Sequence, residues 1–196
     1  MDLTASIGLE RVQRAIATLM MLNINDALTT QEAIWSARDA AYFSAFGRTN
    51  PNWTLERISP DNIFSGIIPS LIDSPPENYP NICVIAYAAN PSGSSDWGER
   101  YLQAVEVQFM VKSLTDEEEV NARIQRTLEA AHSVLISDEN RRIPDFEDSS
   151  IVPQISSMPA VEISGVFVRH LSTDPTDRSF YQHGTLTYRI EKFSTY

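Results

Sequence analysis

The residues best equipped for chemistry are few and scattered. There are three histidines, His132, His170 and His183, and one cysteine, Cys83. No His-Glu-x-x-His or His-x-His spacing occurs, so a zinc site has no local support. His170 and His183 flank the polar turn Thr173-Asp174-Pro175-Thr176-Asp177 and could meet across a hairpin, with Asp174 or Asp177 nearby. That pairing would suit a metal or an acid/base group, and it is the basis of an alternative reading as a small α+β enzyme or ligand-binding protein. His132 falls in a helical pattern and reads as a packed or surface histidine. Cys83 lies in an apolar run and reads as a buried filler, because a reactive thiol needs an accessible, electropositive setting.

Other signatures are missing. No Gly-x-Ser-x-Gly elbow is present, and Ser92-Gly93-Ser94-Ser95 reads as a flexible loop. No Gly-rich phosphate cradle occurs in a chain with seven glycines. Two carboxylate clusters stand out, Asp116-Glu117-Glu118-Glu119 and Asp145, Glu147 and Asp148. The first is a helix start and the second lacks the spacing of a calcium loop, so both read as solvated acidic surfaces. Neither catalytic residues nor cofactor or metal ligands are assigned.

The elements that must carry these residues centre on Tyr79 to Ser137. Tyr79-Pro80-Asn81-Ile82-Cys83-Val84-Ile85-Ala86-Tyr87 is a buried-looking strand, and Asn90 to Ser95 an irregular segment. From Tyr101 to Lys112, Val105, Val107, Phe109 and Val111 alternate with polar residues at the period of a half-buried strand. A helix follows, with Thr115 and Glu118 forming a capping box. Its Val120, Ile124, Leu128, Ala131 and Leu135 mark a face that lies on a sheet, while Arg123 and Arg126 are placed to pair with Glu119 and Glu129.

Upstream, residues 1–46 read as a helical pair. Leu9, Val12, Ile16, Leu19, Met20 and Ile24 give one face of a helix over about 6–27, and Thr29 with Glu32 caps a second over about 30–46. Ile34, Trp35, Ala41, Tyr42 and Phe46 are bulky enough to anchor an interface but are expected in the core. Gly47 closes the helix. Residues 47–78 read as an irregular Pro-rich arm, whose Ile63, Phe64, Ile67, Ile68, Leu71 and Ile72 are too apolar to leave in water. The arm must lie on its own sheet or on another chain. Downstream, residues 138–150 are a polar connection, and Ala160 to His170 pairs as an antiparallel hairpin with Thr185 to Phe193, with a bulge at Gly165. Residues 79–196 thus form an α+β core of order strand-strand-helix-strand-strand, within a single domain of 196 residues.

Composition narrows the classes further. A formal charge of −11 argues against broad nucleic-acid binding, and would instead let DNA pass without adhering. The first residues have neither a basic nor an apolar leader region, and no run is long enough to span a membrane. A non-secreted chain with no membrane partner is expected.

Several phrases resemble the tail-terminator and neck proteins of long-tailed bacteriophages. They are Ile58-Ser59-Pro60-Asp61-Asn62-Ile63-Phe64 with Pro69-Ser70-Leu71-Ile72, then Tyr79-Pro80-Asn81-Ile82, then a helix opening Thr115-Asp116-Glu117-Glu118, and a terminal strand pair. The likeness covers roughly Pro60 to the end; the N-terminal helices depart from smaller members. It implies a non-enzymatic virion protein, present in the host cytoplasm during assembly, that forms a homo-hexameric ring. The ring would cap the tail tube, stop its growth and join it to the head-side connector, with a contractile sheath as a further partner in some tails. Another neck or head-completion adaptor ring fits the same phrases. On this reading Ile63, Phe64, Ile67, Ile68, Leu71 and Ile72 would lie on the adjacent subunit. Glu117, Glu118, Glu119, Asp145, Glu147 and Asp148 would face a docking surface or a lumen through which DNA slides.

Overall fold

Helix α1 runs unbroken from Leu9 to Ala45, where the sequence suggests two helices. A computed structural model describes residues 9–66, 79–95, 98–113, 117–137, 154–155, 160–170 and 178–195. No proline or glycine interrupts Asp26 to Thr30, so nothing forces a stop. Thr29 and Thr30 do not cap: their hydroxyls donate to the carbonyls of Asn25 and Asp26 one turn back, at 2.9 and 3.0 Å. Glu32, the expected capping partner, instead accepts from the Leu55 amide at 3.1 Å and from Arg57 at 2.7 Å. The helix does end at Gly47, whose φ of 64° permits two closing bonds. Arg48 N–H reaches Phe43 O at 2.9 Å, and Gly47 N–H reaches Ser44 O at 3.1 Å.

The first half of the arm folds back on α1. Asn25 clamps Ile58 through both its amide and its carbonyl, at 2.8 and 3.0 Å, and Leu55 and Ile58 are buried. A 3-10 turn at Pro60–Asn62 then leads into β1 (Ile63–Ser65). Ile63 is buried and β1 pairs in parallel with β2 (Asn81–Ser95). Ile63 therefore belongs to the chain's own core and not to a neighbour's, because the sheet supplies the burial it needs; Phe64 is half-buried beside it. Ile67, Ile68, Leu71 and Ile72 lie outside the described residues.

Strand β2 continues through Asn90–Ser95, expected to be irregular. Register shifts between Ala86 and Ala88 and between Pro91 and Gly93 absorb the mismatch, and the ladder with β3 (Gly98–Ser113) runs on to Ser95. After β3 comes α2 (Glu117–Ile136), then β4 (Gln154–Ile155), β5 (Ala160–Ile163), β6 (Phe167–His170) and β7 (Arg178–Thr195). The described strands form one mixed sheet in the order β1-β2-β3-β7, with β4, β5 and β6 placed end to end along the free side of β7. The sheet is thus five strands wide and the fold is α+β. The expected antiparallel pairing and bulge are both present, but the partner stretch on β7 is residues 178–187 and not 185–193. Between the Ile163–Gly184 and Phe167–Tyr181 pairs, three residues around Gly165 face two on β7. Ser164 and Gln182 staple that bulge, with the Gln182 amide donating to Ser164 O at 2.9 Å.

Both helices pack on one face. Val12, Ile16, Met20, Ile24 and Leu28 of α1 join Val120, Ile124, Leu128, Ala131 and Leu135 of α2 over Ile82, Val84, Val105, Val107, Phe109, Leu186 and Tyr188. Helix α2 crosses β7 at Gly184, where an added Cβ would lie 2.8 Å from Leu128 Cδ1 and 2.9 Å from Ile124 Cγ1. On the opposite face Tyr79, Met110 and Tyr181 form a smaller cluster. Cys83 is buried, as its apolar setting suggests.

Candidate functional site

The two hairpin histidines are not brought together. His170 pairs with Arg178, whereas His183 sits five positions further along β7, about 17 Å at ~3.4 Å per residue. Strand β7 begins at Arg178, so the hairpin closes too early for His183 to flank it. His183 instead lies beside Met110 of β3. Burial lowers its pKa, opposed in part by the Glu106 carboxylate. Asp174 and Asp177 lie outside the described residues. Among the described residues no cluster of three or more His, Cys, Asp or Glu side chains is disposed to hold a metal ion.

The acidic start of α2 divides. Glu117 and Glu118 are exposed, the latter 4.0 Å from Arg48. Glu119 is buried, taking the Ser113 hydroxyl and, at 2.9 Å, Arg123. It therefore does not belong to an acidic surface: helical geometry turns the third position of this run onto β3, and its charge is matched there. Thr115, Asp116, Asp145, Glu147 and Asp148 lie outside the described residues.

A second polar constellation ties the helices together, and sequence spacing misplaces it. Arg126 does not pair with Glu129; it reaches across to Asp39 of α1 at 2.7 Å, with both side chains largely buried. Its guanidinium lies over the rings of Trp35 and Trp53, 5.0 and 5.5 Å from their centroids. Glu129 is taken instead by Trp35, whose Nε1 donates to it at 2.8 Å. These contacts span about ninety residues of sequence, so no local pattern could have announced them. The expected Arg123–Glu119 pair does form, and Arg123 also holds Glu56 at 2.6 Å.

Beyond α2 lies an open groove of about 340 Å³, walled by Leu128, Val161, Ile163 and Leu186 with Gln125, Glu129 and His132 at its polar side. Of these, His132 meets the hydroxyl of the buried Tyr188 through Nδ1 at 3.0 Å. Burial pushes the tyrosine pKa up and the histidine pKa down. Both are therefore neutral near neutral pH, and the histidine tautomer sets whether the phenol donates to Nδ1 or accepts from an Nδ1–H. His132 is a packed histidine, as its helical setting suggests. What the sequence does not reveal is the exposure around it. Strand β5 has the alternation of a half-buried strand, yet Val161 is 55% and Ile163 41% exposed.

A second exposed apolar feature is the tip of α1. Tyr42 and Phe46, expected in the core, are 56% and 66% exposed, with ring centroids 4.9 Å apart. They project because Asp39 and Phe43, on the inward face, already hold this end of the helix to Arg126 and Trp53. Among the described residues no helix is long and apolar enough to cross a membrane. A scan against models of known protein families finds no match, and no curated protein matches the chain in sequence.

Proposed function

We propose that this chain is a structural virion protein, a ring-forming tail terminator that caps the tail tube and joins it to the head connector of a long-tailed bacteriophage. The observation that carries the reading is the state of β5. Its Val161 and Ile163 turn toward the helical side of the sheet, as a buried strand's would, but a single chain leaves them uncovered. A strand written for burial and exposed in the monomer fits a protein completed by other copies. The phrases that carry the resemblance fall on the turn and strand at Ser59 to Ser65, on the entry to β2 at Tyr79 and Pro80, and on the start of α2. With Glu119 buried, Glu117 and Glu118 are the members of the candidate acidic surface that remain among the described residues, on a chain of net charge −11.

Light scattering and negative-stain imaging of the purified protein test this directly. Rings of six copies that bind the ends of isolated tail tubes are expected. A protein that stays monomeric at high concentration and ignores tubes overturns the reading. Rings that bind a portal or connector but never a tube end would move it to a neighbouring neck position. Glu117→Lys with Glu118→Lys should leave ring formation intact while impairing DNA passage or ejection. Equal loss of ring assembly would place these residues in a subunit contact instead.

A further inference from the structure

The geometry points to a strap built into the fold: residues 33–54, the second half of α1 and the turn after it, open from α2 and close on it again as one unit while the rest of the fold stays in place, latched by Arg126. The chain leaves the main apolar core at Leu28 and rejoins it at Leu55, and no residue between them belongs to that core. Within residues 33–54 only Asp39 and Phe43 are buried. Apolar burial is what welds an element to a fold, so this stretch is held less firmly than the first half of its own helix.

The base of the strap is stapled. Asn25 bonds Ile58 in both directions, and Glu32 takes the Leu55 amide and Arg57. Between these staples Thr29 and Thr30 bond back to the carbonyls of Asn25 and Asp26, which the helix ladder also uses. Such bonds weaken and bend helices, and here they fall where the core contact ends. They mark the hinge.

Beyond the base, every hydrogen bond, ion pair and ring contact between residues 33–54 and the rest of the described chain goes to α2. Trp35 donates to Glu129, Asp39 pairs with Arg126, and Arg48 lies 4.0 Å from Glu118. Arg126 reaches both limbs of the strap, because Trp35 and Asp39 stand on the outgoing limb and Trp53 on the returning one. The limbs hold each other through Phe43 against Trp53 at 6.0 Å, and Arg48 lies over Phe43 at 5.3 Å. That local cluster makes the strap one cooperative piece. Opening it strips Arg126 of its carboxylate and both indoles and bares the face of α2 that they cover. The strap does not depend on the ring reading above.

Native-state hydrogen exchange of the full chain, over urea concentrations below the unfolding transition, tests the strap. Released from α2, the 33–45 stretch is a helix of about 13 residues, marginal in water, so its amides exchange on opening. They should exchange together, faster and with a smaller urea dependence than those of residues 16–24, which wait for global unfolding. Asp39→Asn should speed exchange of 33–45 at least tenfold, and Arg126→Met should do the same, with circular dichroism checking that each variant is folded. Ile16→Val, inside the core, should speed 16–24 several-fold and leave 33–45 unchanged. Equal protection and equal urea dependence in the two stretches, or an Ile16→Val variant that speeds both alike, would make 33–54 part of one cooperative fold and overturn the strap. Protection that declines residue by residue towards Ala45 would be end fraying and overturns it as well. Exchange of 33–45 that neither Asp39→Asn nor Arg126→Met alters overturns the latch.

Discussion

The Asp39–Arg126 pair is the most exacting test of how α1 and α2 are joined. The two side chains keep 11% and 6% of their exposure and meet at 2.7 Å. Replacing Asp39 with alanine leaves the guanidinium buried without its carboxylate. The cost of orphaning such a charge is about 3–5 kcal/mol. The stacking of Arg126 on Trp35 and Trp53 does not reduce this figure, because those contacts exist in the wild type as well. It does keep the orphaned arginine in place, so escape to solvent would sacrifice two ring contacts of about 0.5–2 kcal/mol each.

Removing both partners should behave differently. Asp39→Ala with Arg126→Met eliminates the stranded charge and keeps an apolar stem between the indoles, so most of the loss should be recovered. Urea unfolding at fixed protein concentration measures all four members of the cycle. An Asp39→Ala loss below about 1 kcal/mol, the range of exposed pairs, would mean that the helices are not joined in this way. Losses that simply add in the double variant would mean that the two residues do not interact.

Two further outcomes follow from the packing and the titration. Gly184→Ala should destabilise by about 1–3 kcal/mol in the same assay, because the new methyl group meets Ile124 Cγ1, which cannot swing aside as easily as the Leu128 terminus; an unchanged midpoint would mean α2 sits further from β7. His132 and His183 both titrate below their ordinary value of 6.5 when folded, through burial, with Glu106 opposing at His183. The unfolded chain then takes up protons first, so this stability is complete above about pH 6.5 and falls as pH drops through and below that value. The urea midpoint should fall on acidification from about pH 7.5 to 5.5, and His132→Gln should flatten part of the slope. A midpoint that rises over that interval would contradict the burial of both rings.

The parts of the fold that were legible in the sequence are those written by local periodicity. Val105, Val107, Phe109 and Val111 alternate and are buried together, and Val120 to Leu135 recur at helical spacing and pack on the sheet. Gly47 marks a helix end because its φ of 64° favours glycine, and Gly165 marks a bulge because the strand alternation shifts there. What misled was chemistry with two uses. Thr29 and Thr30 resemble caps, but a threonine hydroxyl can also bond one turn back inside a helix. Glu119 resembles a surface carboxylate until Arg123 and Ser113 enclose it. Tyr42 and Phe46 have the composition of a core, and only the placement of Asp39 and Phe43 on the inward face reveals that they point away from it. Partners distant in sequence, such as Trp35 with Glu129, left no trace in either stretch.

The two open surfaces share one geometric origin. Helices pack 8–10 Å apart and strands about 4.8 Å apart, so each helix covers roughly two strands. With α1 over β1 and β2, and α2 over β3 and β7, a sheet five strands wide keeps its last strand bare. Conversely, α1 has 37 residues, about 55 Å at ~1.5 Å per residue, while its share of the core over the sheet ends at Leu28. Its excess length carries Tyr42 and Phe46 past the core. The monomer therefore has one strand too many for its helices and one helix that runs on past the core it packs into. Trimming the exposed tip should cost the fold little, because the inward contacts end at Phe43. Any larger effect on assembly than on stability would then locate the function of the excess in contact between copies.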